Sequence, residues 1–178
     1  MSGLKTDIQK DANHLTLTLR GELTEDLQLP SADLKGVNKL FIDTGELTYI
    51  NSLGMRNWIY WTAELKQKVN AVVFQRLSNA LVRQMVQLGS LLPEECKVSS
   101  VYVPLYCDAC DRAEVKLFDF TKDLSSGLEL SEVAKVLNHV PCPSCAAQME
   151  VDGNPEAYAK LIEKLAKAFH KPFTQQAA

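Results

Sequence analysis

Long apolar runs are missing from this chain. Nothing in its 178 residues approaches the roughly 20 apolar positions needed to span a bilayer. The opening stretch, MSGLKTDIQKDANHLTLTLRGE, turns polar and charged at once and lacks the apolar core of a signal peptide. The cytoplasm is therefore the expected compartment. Charge of one sign is missing too: a net charge of −3 offers no general attraction to nucleic acid or anionic lipid. Histidine is scarce, and His14, His139 and His170 are scattered. His139 precedes the second cysteine pair and reads as a neighbour of that site or a structural residue. Neither a G-x-x-x-x-G-K-[ST] phosphate cradle nor a G-x-G-x-x-G fingerprint occurs. The acidic trio Glu22, Glu25 and Asp26 reads as solvated loop surface. No catalytic constellation is legible, so the expectation is a protein that is not an enzyme.

What remains is a chain of ordinary globular composition, 46% hydrophobic and 23% charged. Thr6 to Lys10 forms a weak strand. Leu15, Leu17 and Leu19 alternate with threonines, the period of a half-buried strand. A polar stretch over 21–36, containing one short helical turn, leads to a compact apolar strand, Val37 to Asp43. A helix starts near Asn51 and Ser52, either of which can cap it. On a wheel Met55, Trp58, Ile59, Thr62 and Leu65 share its apolar face, with Trp61 at the edge. Leu53 and Tyr60 fall on the side of Arg56, Asn57, Glu64 and Gln67, hinting at a contact surface. Ala71 to Phe74 reads as a buried strand. A helix capped by Ser78 and ended by Gly89 follows, then a strand from Lys97 to Val103. Strands alternating with helices call for a sheet with parallel pairs covered by helices.

The character changes at Pro104. Cys107-Asp-Ala-Cys110 and Cys142-Pro-Ser-Cys145 are two C-x-x-C pairs separated by 31 residues. Each can form a tight turn presenting two thiolates, and four thiolates suit one tetrahedral, structural Zn2+ with no open position. Redox use of a single pair, an iron–sulfur cluster or two disulfides remain alternatives. Ala113 to Asp119 and Gln148 to Val151 fit as flanking strands, and the intervening helix spans roughly Leu130 to His139. Cys96 lies outside the pattern and reads as a small buried residue. A final helix begins at Asn154 and Pro155 and carries the stripe Tyr158, Leu161, Ile162, Leu165 and Phe169. Beyond Pro172 the tail reads as disordered.

One segment carries a family likeness. Leu40-Phe41-Ile42-Asp43, then Gly45 to Tyr49 and Ile50-Asn51-Ser52-Leu53-Gly54-Met55, resembles the STAS family of anti-sigma-factor antagonists and sulfate-transporter tails. There a strand ending in Asp leads to a loop of the form I-D-S-[ST]-G-L that opens a helix. Leu77-Ser78-Asn79 and Leu88 are similar to its next strand-to-helix connection, and the likeness spans roughly residues 5–103. It implies binding to a serine kinase that doubles as an anti-sigma factor, with Ser52 as the phosphoacceptor. Asn51 replaces the family's aspartate and Leu53 its second hydroxyl. Asn51 and Ser52 equally read as plain helix caps.

The expected architecture is α/β: a STAS-like mixed sheet with helices over 1–103, then a zinc-ribbon module with a C-terminal amphipathic helix over 104–178. The expected function is regulation by protein–protein contact through Asn51, Leu53, Arg56 and Tyr60, controlled at Ser52. The last helix is expected to cover the ribbon or to pair with a second copy in a homodimer. A nucleic-acid-binding ribbon is the alternative, opposed by Asp108, Asp111, Glu114 and Asp119 around the cysteines. A constitutive structural subunit is another.

Overall fold

A computed structural model describes residues 3–25, 30, 33–124 and 129–173. Asp26, much of the turn expected within 21–36 and most of the tail after Pro172 lie outside them. The fold is α/β. Strands β1 (Lys5–Lys10), β2 (His14–Leu23), β3 (Lys39–Ile50), β4 (Ala71–Gln75) and β5 (Lys97–Val98) form one sheet in that order. The first pair is antiparallel and the others parallel. Helix α1 (Ser52–Lys68) joins β3 to β4, and α2 (Asn79–Leu88) joins β4 to β5. Leu17, Ile42 and Phe74 stand in register across this sheet, all fully buried. Trp58 of α1 lies on Phe74 with ring centroids 5.6 Å apart.

Strand β3 runs on to Ile50, well past Asp43, where the sequence pattern places its end. Register shifts opposite Thr18/Arg20 and Gly21/Glu22 put extra residues into β3, so the buried Thr44, Leu47 and Ile50 lie three apart. Alternation is lost while the strand continues. The α1 wheel is also rotated: Trp61 is buried, whereas Ile59 is 42% exposed. Trp61 anchors there because its Nε1–H donates to the carbonyl of Pro30 at 3.2 Å.

The second sheet holds β6 (Ser100–Cys107), β7 (Arg112–Asp119), β8 (Val140–Pro141) and β9 (Gln148–Val151), antiparallel in the order β7-β6-β9-β8. The segment Lys97 to Val103 is thus two strands in two sheets. Ser99 marks the change, its N–H donating back to the Phe74 carbonyl. Pro104 sits inside β6, and one contiguous buried cluster includes Leu17 of the first sheet and Val103 and Ile162 beyond it. Helix α3 (Leu130–Asn138) and helix α4 (Pro155–His170) cover this region. Helix α4 buries Tyr158, Ala159, Ile162 and Ala166 against its own chain. Lys97 Nζ donates to the Phe169 carbonyl at 3.1 Å and to that of Lys171, clamping the end of α4 to β5. Among the described residues no helix is long and apolar enough to cross a membrane.

Candidate metal centre and partner face

Each cysteine pair closes a β-hairpin. Cys107 ends β6, and the turn through Cys110 leads straight into β7; Cys142 follows β8, and the turn through Cys145 leads to β9. Neither pair opens a helix, so the context of a thiol–disulfide oxidoreductase is absent. The residue after each pair, Asp111 (φ 53°) and Ala146 (φ 60°), has left-handed backbone that turns the chain back under the sulfurs. Ala146 N–H donates to the Cys142 carbonyl at 2.9 Å, and Cys142 N–H to that of Ala147 at 2.7 Å.

The hairpins meet sulfur to sulfur. All four Sγ atoms lie within 4.8 Å of one another. Cys107 and Cys145 are 3.5 Å apart, as are Cys110 and Cys142. Four thiolates about 2.3 Å from a tetrahedral ion would be about 3.8 Å apart, so this arrangement needs little adjustment to take one. All four cysteines are free of disulfides; Cys107 and Cys142 are buried, Cys110 and Cys145 exposed. The backbone N–H of Ser144, with that of Cys145, lowers the Cys142 thiol to about 6. Burial raises Cys107, and the hydrogen bond with Cys142 raises Cys110. Without a cation the cluster therefore favours a thiolate at Cys142 beside the protonated Cys107 and Cys110; a bound metal would take all four cysteines as thiolates.

His139 stays out of this cluster: its Nδ1 pairs with the Lys135 carbonyl at 2.6 Å, at the end of α3. Cys96 is buried elsewhere, and desolvation pushes its thiol up to about 12, an unreactive state.

The start of α1 is built from three contacts. Asn51 is its N-cap, Oδ1 accepting from Gly54 N–H at 2.7 Å. The Asn51 amide also donates to Glu25 Oε2 at 2.6 Å, and its backbone N–H donates to the Leu23 carbonyl. An aspartate could cap but could not donate to Glu25, so asparagine suits this neighbour. Gly54 rests directly on the backbone at the end of β2. Ser52, Leu53, Arg56 and Tyr60 all point outward, Leu53 42% and Tyr60 70% exposed. Tyr49 and Ile59 are exposed as well. Glu25 and Gly54 are partners that spacing alone does not reveal, since one lies far off in sequence and the other makes its contact through backbone.

No family model matches this chain, and no curated protein matches it.

Proposed function

We propose that the chain is a non-enzymatic regulatory protein of the STAS type, stabilised by zinc, that acts by binding another protein through the start and outer face of α1. Zinc is the ion of choice because four thiolates complete a tetrahedral shell and leave no position for substrate. An ion so enclosed holds the two hairpins together and performs no reaction. It supplies folding free energy by tying together two turns whose tips carry few apolar residues of their own.

The observation that carries the partner reading is the contrast at α1. Its start is held by the Asn51 cap and by Gly54 seated on Leu23, while Leu53 and Tyr60 are left outside. A rigid helix end with protruding apolar side chains is economical for recognition, because little entropy is lost on docking. The partner class is a signalling protein, in the first place a serine kinase of the anti-sigma type, and Ser52 is its acceptor. A phosphate on Ser52 would meet free N–H groups at the helix start while adding about two negative charges to the docking face.

Co-purification of the tagged protein from its native host, with mapping of phosphosites, tests this reading. A partner retained by wild type and lost from Leu53→Asp/Tyr60→Asp supports it, as does phosphate on Ser52. Full retention of every partner by the double variant, with Ser52 unmodified, removes it. Elemental analysis of protein never exposed to chelator tests the ion: stoichiometric iron in place of zinc would replace the closed zinc site by a cluster.

A further inference from the structure

Strand β7 ends the second sheet, and among the described residues no strand lies on its outer side. Its odd positions are apolar up to Leu117, with Asp119 at the end: Ala113, Val115 and Leu117 face the same way as Tyr106, Pro104 and Tyr102 of β6, directly opposite them. Val115 is 49% exposed. Its even positions carry Arg112, Glu114 and Lys116 on the other face, followed by the buried Phe118. The direction of the backbone groups follows from Pro104. That residue has no N–H, and its carbonyl accepts from Asp152 N–H at 2.9 Å, on the side away from β7. Pro104 and Val115 are therefore a non-hydrogen-bonded pair, and the N–H and C=O of Val115 point into the open edge. By alternation those of Ala113 and Leu117 do the same.

We propose that this edge joins two copies of the chain in a two-fold antiparallel pairing of β7 with its counterpart, centred on Val115. Outward-pointing groups must meet outward-pointing groups, so the two-fold axis has to pass through a residue position. Centred on Val115, the pairing sets Glu114 opposite Lys116 of the second copy, and Lys116 opposite its Glu114. Ala113 meets Leu117 on the other face, and every odd-numbered pair exchanges both backbone hydrogen bonds. Centred on Glu114, the strands would put Glu114 against Glu114 and Arg112 against Lys116. Centred on Lys116, lysine meets lysine. Like charges directly opposite one another are destabilising, and of these three registers the Val115 one alone avoids them across 112–118, while an axis on Ala113 or Leu117 would pair fewer residues of the strand. Natural edge strands usually carry charges that repel a second strand; here the charges alternate in sign and complement their own copy. In the single chain Glu114 is held by Arg112 at 2.6 Å, and pairing would let Lys116 of the second copy share it. The contact is isologous and closes at two subunits.

Sedimentation equilibrium of the full metal-loaded protein, from micromolar to sub-millimolar concentration, tests the proposal. Wild type is expected to dimerise with rising concentration. Val115→Pro deletes the outward N–H and leaves the bonds to β6 in place, so it should be monomeric with unchanged metal content and circular dichroism. Glu114→Lys and Lys116→Glu should each weaken the dimer roughly tenfold or more, and the double reversal should restore it. A wild-type monomer at every concentration overturns the proposal. So does a dimer indifferent to Val115→Pro and to the single reversals, and failure of the double reversal to restore pairing sinks the register.

Discussion

A β-carbon added to Gly54 would lie 2.0 Å from the carbonyl oxygen of Leu23 and 2.4 Å from its carbon. The first turn of α1 is thus seated on backbone, which cannot step aside as a flexible side chain can. Two effects oppose each other in Gly54→Ala. Helix propensity favours alanine by about 1 kcal/mol. Overpacking against the end of β2 costs about 1–3 kcal/mol or more. Overpacking wins, so urea denaturation should give a lower midpoint for the variant. An equal or higher midpoint would mean that α1 does not rest on β2 this closely.

Asn51 is a cap and a donor at once, and Asn51→Asp separates the two roles. The carboxylate still caps Gly54, since aspartate caps as well as asparagine. What changes is Glu25, which loses a donor and gains a like charge. In the native protein its carboxyl is held below its ordinary value of 4.5 by its own backbone N–H and then by Asn51. A depressed carboxylate adds stability above its unfolded pKa and loses it as pH falls through the folded one. Asn51→Asp should therefore unfold more easily than wild type at neutral pH. The gap should shrink in acid as the two carboxylates take up protons, and Glu25→Gln should close it. A gap that persists below the carboxylate range would assign the loss to the cap instead.

How much of this was legible in the sequence depends on the range of each interaction. The alternation of Leu15, Leu17 and Leu19, the caps at Asn51 and Ser78 and the two cysteine pairs are local patterns, and the fold realises them. The last part of β3 was hidden because its register shifts are set by β2, which local periodicity cannot register. The division at Ser99 was hidden because both sides of it have strand composition; only the return of its N–H to Phe74 separates them. The link between Asn51 and Glu25 spans the connection from β2 to β3 and needs both strands in place. The open edge of β7 depends on which neighbour each strand finds, a property of the folded sheet.

Lys97 is a buried cation, 8% exposed, whose ammonium meets the last carbonyls of α4 and lies 4.2 Å from the centre of the Phe173 ring. A positive group at a helix C-terminus is favourable, and hydrogen bonds to charged groups contribute about 1.5–3 kcal/mol. Lys97→Met fits the apolar stem but leaves those carbonyls unpaired. Hydrogen exchange should quicken in the last turn of α4, with Ala71 to Gln75 little changed. The alkaline limb has a definite sign. Burial, aided by Lys39, lowers the Lys97 pKa below 10.5, so the folded chain gives up this proton more readily than the unfolded one. Stability of wild type relative to Lys97→Met should rise as pH climbs from the folded pKa towards 10.5. A flat difference would show that Lys97 is more hydrated than its burial indicates.

Removal of the proposed zinc should act unevenly on the chain. Leu105, Val140, Met149 and Val151 lie close to the cysteine turns in sequence and belong to the common buried cluster. Without the metal, the two cysteine turns are held together only by the short β6–β9 pairing and by core packing, so the hairpins should loosen and draw α3 and part of α4 with them. The first sheet keeps its own core of Leu17, Ile42, Trp58 and Phe74. Hydrogen exchange after chelation should thus show loss of protection across 100–119 and 130–162, and retention across 14–19 and 71–75. Acid should mimic the chelator, because each cysteine thiol must give up its proton to bind metal as thiolate and protons compete for it. Cys107 and Cys110, raised above 9.0, keep the strongest hold on their protons, whereas Cys142 is already ionised near neutral pH. Zinc affinity should therefore fall steadily as pH drops through the neutral range, and metal uptake should release protons from Cys107 and Cys110. An affinity independent of pH, or uniform loss of protection along the chain, would show that the cysteine cluster does not hold the second sheet in this way.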